Sequence, residues 1–167
     1  AAANTWTRLP GTGSKTSICH PGSDTWPADR HPIWHMAVDT KRNVLWLHGG
    51  VCGGDDLYDT WYLKLNPNPL DNTWHKVPTT QSRPYYMAAT IYDPENDVLF
   101  SYGYDGRAGT RNNWVFCSTM GNPTPGVPTA EQSAAGCVVP DDWNEVQVAG
   151  GVQPPGSMFP AMVYDPV

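Results

Sequence analysis

Charge is what this sequence has least of. Only 16% of its 167 residues are Asp, Glu, Lys or Arg, and the formal net charge is −6. No basic cluster interrupts that acidic balance, so no nucleic-acid partner is expected. Long apolar runs are missing as well: no stretch approaches the roughly 18 residues of a membrane-spanning helix, and no membrane span is expected. Catalytic and metal signatures are equally scarce. There is no GxSxG elbow for a serine hydrolase, no HxxH or HExxH, and no CxxC or Cys/His pattern at zinc spacing. No Asn-x-Ser/Thr sequon offers a consensus N-glycosylation site. The opening AAANTW holds neither Met nor an apolar signal region, so a targeting segment is expected to have been removed or to lie outside this sequence.

Turn formers and aromatics take the place of charge. Pro (17) and Gly (16) are abundant, and eight Trp and eight Tyr are many for this length. That balance fits a β-rich extracellular domain better than a cytosolic helical one, and the chain is long enough for one ordinary domain with a good core. Between His35 and Pro78 lie four short apolar runs rich in β-formers: Met36–Val38, Val44–Leu47, Trp61–Leu65 and Trp74–Val77. Turn residues separate them, which predicts four short strands. The pattern recurs. Val38-Asp39 followed by Asn43–Trp46 is echoed by Tyr92-Asp93 followed by Asp97–Phe100. Trp61 maps onto Trp114, and Trp74 onto Trp143. Thr5–Pro10 matches Thr73–Pro78, and Met162–Asp165 repeats Thr90–Asp93.

Gly49-Gly50 closing the second run, Tyr58 and Trp61 in the third and Trp74 in the fourth resemble a kelch repeat, with Gly103, Trp114 and Trp143 at matching places in the second copy. The resemblance implies an all-β fold, a β-propeller of kelch type with four-stranded antiparallel blades. Propellers have about 4 to 8 blades and kelch repeats run about 50 residues, so this chain is expected to be only part of the ring. Residues 4–10 read as the outer strand of a preceding blade, 33–78 as blade one, 85–148 as blade two and 158–167 as the first strand of the next. An all-β sandwich with chance Trp spacing is the alternative. Gly11–Pro32 reads as a long loop, and Ser118–Asp142 as an irregular excursion between the third and fourth strands of blade two.

In a propeller, the connectors between blades share a face with the turns between second and third strands. That face is expected to gather His20, Trp26, Arg30, His31 and Trp34 from one loop, with Asp55, Arg83, Tyr85, Tyr104, Asp105 and Arg107 nearby. Kelch proteins place an Arg just before the inner strand at the channel mouth, and Arg30 and Arg83 match that position. Aromatics give rigid contact area and Arg a forked donor, which suits peptide or sugar recognition. The expected function is therefore a secreted or extracellular binding or scaffold module for protein or carbohydrate, non-catalytic in this segment, with the periplasm or cell surface as further settings. The rest of the propeller, or further copies of the chain, would be its other partners.

An even number of cysteines, four, points to disulfides and an oxidising compartment. The face argument pairs Cys19 with Cys52 and Cys117 with Cys137; four buried free thiols are the alternative. Galactose oxidase-like copper radical oxidases also use a kelch-like propeller, and that resemblance would imply Tyr and His ligands with a Cys–Tyr crosslink. Only His20 and His31 sit in the expected ligand-facing loop, so this enzyme reading stands second, and a structural subunit of a surface layer or fibre third. The paired carboxylates Asp55-Asp56 and Asp141-Asp142 are expected to cap backbone amides. Asp55 and Asp56 also give a weak calcium possibility, without the regular DxDxDG spacing; no other cofactor is expected.

Overall fold

A computed structural model describes residues 25–31, 35–52, 55–80, 88–105, 110–147 and 162–165. Eight strands follow one another in the chain: β1 (Met36–Asp39), β2 (Val44–Cys52), β3 (Asp55–Lys64), β4 (Thr73–Val77), β5 (Ala88–Asp93), β6 (Val98–Asp105), β7 (Thr110–Phe116) and β8 (Trp143–Val146). They form two four-stranded sheets, β1-β2-β3-β4 and β5-β6-β7-β8, in which every neighbouring pair is antiparallel. The described protein is thus all-β but for a 3-10 turn at Pro69–Asp71 and a short helix, α1 (Ala130–Ala134).

The two sheets are built by the same local chemistry. Asp39 Oδ1 accepts hydrogen bonds from the backbone N–H of Lys41 and Arg42, both at 3.0 Å, and Asn43 then turns left-handed at φ 53°. Asp93 Oδ1 does the same for Glu95 (3.0 Å) and Asn96 (3.2 Å), and Asp97 follows at φ 55°. An Asp that bonds the backbone two and three residues on is a turn in itself, and Asn and Asp tolerate the left-handed region. In both turns the side chain three positions after the Asp reaches back to its second oxygen, Arg42 at 2.8 Å and Asn96 at 2.7 Å. Strand register repeats too: Trp61 stands opposite Leu47 and Lys76, and Trp114 opposite Ser101 and Glu145.

Strand alternation gives each sheet an inner face, and these pack together. Ala37, Val44 and Trp46, with Tyr62 and Val77, meet Tyr92, Leu99, Trp114, Phe116 and Trp143. The ring of Phe116 lies 5.0 Å from that of Trp46 and 5.4 Å from that of Trp143. Each large side chain buried there stabilises the fold by about 1.5–3 kcal/mol. On the far face of the second sheet, Val98, Val115, Cys117 and Cys137 form a smaller cluster with Phe100, Ala135 and Val146.

That cluster seats the excursion between β7 and β8, expected as irregular and indeed mostly so. Its one helix, α1, is set by a capping box: the Thr129 side chain accepts from Gln132 N, and the Gln132 side chain accepts from Thr129 N. The Cys117–Cys137 disulfide closes the excursion as expected. Cys52 is also disulfide-bonded, while Cys19 lies outside the described residues, as do residues 4–10. Residues 162–165 carry no strand pairing among the described residues. No helix among them is long and apolar enough to cross a membrane.

Candidate functional site

Lys41 in the β1–β2 turn bonds Asp97 in the β5–β6 turn at 2.7 Å, which fixes those two turns at one end of the paired sheets. The β2–β3 and β6–β7 ends therefore lie at the other, where the ligand face is expected. There the sequence breaks strand β2 deliberately. Register slips between His48 and Gly50, and Gly49 and Gly50 take φ of 57° and 107°. A Cβ on Gly50 would lie 2.6 Å from His31 O, so only glycine lets the chain ahead of β1 lie this close. His31 N–H donates to Val51 O at 2.9 Å and Val51 N–H to His31 O at 3.1 Å.

The bulge frees Gly49 O to accept from Arg30 Nη1 at 2.9 Å. Both guanidinium ends also grip the Asp59 carboxylate, and Nε donates to Ala28 O at 3.0 Å. Trp61 Nε1 donates to the same carboxylate at 2.6 Å. Burial alone would raise the Asp59 pKa, but the bonds from Arg30 and Trp61 outweigh it and hold the group below its ordinary value. The Arg30 side chain is 3% exposed. Read from sequence as an open forked donor, it is instead turned inward, fastening residues 25–31 to the first sheet.

What this end presents to solvent is different. His31 and Asp29 are exposed and Trp26 is half-buried. Tyr58 is exposed, and its hydroxyl donates to Asp56 Oδ2 at 3.3 Å. Sequence reading took Tyr58 as a repeat marker and passed over Asp29 and Asp59. Alternation along β3 does not single out Tyr58, which shares the strand face of fully buried Thr60; it is exposed because it stands nearer the β2–β3 end. Asp55, Tyr104 and Asp105 stand at the strand ends of this same face, with side chains outside what is described. His20, Trp34, Arg83, Tyr85 and Arg107 lie outside the described residues.

No family model, curated protein or solved structure matches the chain. Its chemistry has to be read from its own geometry.

At the opposite end, Arg42 spends all five N–H donors. Two go to Asp97 (2.6 and 2.7 Å), one to Asp39 (2.8 Å), and one each to the carbonyls of Met120 (2.6 Å) and Ser118 (2.9 Å). Tyr92 OH and Gln132 Nε2 also donate to Asp97. Burial works against the Arg42 charge, but the bonds to Asp97 and Asp39 prevail and raise its pKa. The Asp97 carboxyl, likewise opposed by burial, is held low by Arg42, Lys41 and Tyr92. This network welds two turns and the excursion together. The fully engaged donors suit structure rather than ligand capture.

The remaining candidates fall to structural duties. Asp141 accepts from Thr119 N (2.7 Å) and Oγ1 (2.6 Å), and Asp142 from Thr80 N (3.0 Å) and Trp143 N (2.8 Å), the capping role expected of paired Asp residues. His75 stacks on Tyr62 with ring centroids 4.8 Å apart. Among the described residues, no three or more His, Cys, Asp or Glu side chains are grouped to hold a metal. A cleft of about 320 Å³ opens between Tyr62, Val77, Phe116 and Met120, and one of about 250 Å³ between Trp114, Val139 and Glu145.

Proposed function

We propose that this chain is part of a kelch-type β-propeller and acts as a secreted binding or scaffold module for protein or carbohydrate, with no catalysis in this segment. The supporting observation is the doubled architecture. Two sheets share one register and one turn chemistry, and together make a rigid platform. At its β2–β3 end, the Arg30–Asp59 fastening holds Trp26, Asp29, His31 and Tyr58 where a ligand can reach them. Rigid aromatics among polar groups are the usual makings of a recognition surface. The disulfides fit an oxidising compartment outside the cytoplasm.

The test is a paired screen of the purified, oxidised protein on a glycan array and on an array of extracellular protein and peptide ligands. Saturable binding in one arm, competed by soluble ligand, is the expected result. Absence of binding in both arms by protein shown to be folded contradicts the reading.

A further inference from the structure

The outer strands of the two sheets take equivalent places, but their charges are reversed. In the first sheet, Trp61 on β3 stands opposite Lys76 on β4. The Trp61 indole N–H is taken by Asp59 at 2.6 Å, and the Lys76 ammonium lies 5.8 Å from the centroid of its ring. In the second sheet, Trp114 on β7 stands opposite Glu145 on β8. There the indole N–H is buried with no acceptor among the described residues, and a carboxylate replaces the cation. Glu145 is exposed and makes no ion pair among the described residues. Its own part of the chain has no cation to offer: no Lys or Arg follows Arg111, whereas Glu131, Asp141, Asp142, Glu145 and Asp165 do. A cleft of about 250 Å³ lies at this point, walled by Trp114, Val138, Val139, Trp143, Asn144 and Glu145. Side chains alternate across a strand, so a cleft touching three successive residues of β8 opens at the outer edge of that strand. No further strand lies beyond it among the described residues.

We propose that the outer edge of β8 is a second binding site, separate from the β2–β3 end, for an extended, lysine-bearing peptide segment of a partner protein. The backbone is ready for it. Cys117 N–H reaches Asp142 O across the β7–β8 ladder at 3.4 Å, so hydrogen-bonded pairing falls on Asp142 and Asn144, and Glu145 turns its own N–H and C=O to the open edge. An extended peptide pairs with those groups as a fifth strand. One wall of the cleft is apolar and fixed: Asn144 Oδ1 accepts from Val138 N at 3.1 Å and Val139 N at 2.7 Å, and Nδ2 donates to Val139 O at 2.9 Å. Val138 is 81% exposed and Val139 39%, which gives the apolar side chains of the segment a ledge to rest on. The peptide ammonium meets the Glu145 carboxylate beside Trp114 and supplies from outside the cation that Lys76 supplies within the first sheet. The edge of β4 is closed to the same partner. Lys76, and Pro78 just past its end, are ordinary devices against strand pairing, and Trp143–Val146 contains neither residue type.

The test is fluorescence anisotropy of the whole oxidised chain with a capped, fluorescein-labelled octapeptide of alternating valine and threonine around one central lysine. Saturable binding is expected. Replacing the central lysine by glutamate, or N-methylating the peptide backbone beside it, should weaken binding by about tenfold or more. Glu145→Lys, which installs in the second sheet the cation of the first, should weaken it as much with the melting temperature unchanged. The His31→Ala, Tyr58→Ala double variant should bind the peptide as the wild type does, which separates this site from the β2–β3 end. No saturable binding by folded protein, equal binding of the lysine and glutamate peptides, or unaltered binding by Glu145→Lys overturns the proposal. So does a dimer in sedimentation that Glu145→Lys dissociates while no peptide binds, because the occupant of the edge is then a second copy of the chain.

Discussion

Arg42→Ala is the sharpest perturbation available, because it removes one cation from between two buried carboxylates. The side chains of Asp39 and Asp97 are 1% and 7% exposed, and that of Arg42 is 5% exposed. Breaking a buried ion pair by deleting one partner costs about 3–5 kcal/mol, since the remaining charge is left uncompensated. Here two carboxylates remain; among the described residues the Lys41 ammonium is the one other cation at Asp97, beside the neutral donors Tyr92 and Gln132. The carbonyl of Ser118 keeps Gln132 as a donor, which limits further loss, so about 3–5 kcal/mol is the expected total. The assay is urea unfolding at pH 7 and again at pH 4. In the wild type, burial pulls the Asp97 carboxyl upward, but Arg42, Lys41 and Tyr92 hold it low. Its stabilising contribution is thus present above the unfolded value of about 3.9 and is lost as pH falls through the lowered folded one. In the variant, burial acts on the Asp97 carboxyl without Arg42 to oppose it and favours its protonation, so the deficit should shrink at pH 4. Arg42→Lys should be intermediate, because an ammonium lacks the planar fork. A deficit under about 1 kcal/mol at pH 7, or one that does not change with pH, would refute this reasoning.

Three further outcomes are expected. Gly50→Ala should lose about 1–3 kcal/mol from a left-handed position with no room for a Cβ, and hydrogen exchange at His31 and Val51 should rise as their bridge opens. Arg30→Met should cost about 1–3 kcal/mol by leaving the Asp59 carboxylate without its cation and with the Trp61 indole still donating to it, and limited proteolysis should then cut within residues 25–31. Replacing Cys117 and Cys137 together by Ser removes a loop closure across a separation of 20 residues and should cost about 3 kcal/mol in thermal or urea unfolding.

What was legible in the sequence was local. The Asp39 and Asp93 turns need only the residues that follow them. Of the repeated tryptophans expected to pack the blades, Trp46, Trp61, Trp114 and Trp143 are buried, Trp74 is half-buried and Trp6 lies outside the described residues. The Cys117–Cys137 bridge followed from the excursion they bracket. The candidate site was less legible because its organising bonds are long-range. Arg30 meets Asp59 across 29 positions and Arg42 meets Asp97 across 55. Composition gives Arg30 a forked donor but not a direction, and only the Gly49-Gly50 bulge decides that it points inward. A helix of five residues such as α1 is too short for periodicity to reveal. The Trp143 indole reaches His48 and Thr60 on the other sheet across 95 and 83 positions, which no motif announces.

The account stands most directly on where a ligand binds. Once a glycan or peptide is selected on the arrays, calorimetric titration of the wild type and of the His31→Ala, Tyr58→Ala double variant measures it. The account predicts an affinity loss of about tenfold or more, roughly 1.4 kcal/mol, with the melting temperature unchanged. Unaltered affinity in that variant, with binding abolished instead by Glu131→Ala at the opposite end of the sheets, would contradict it.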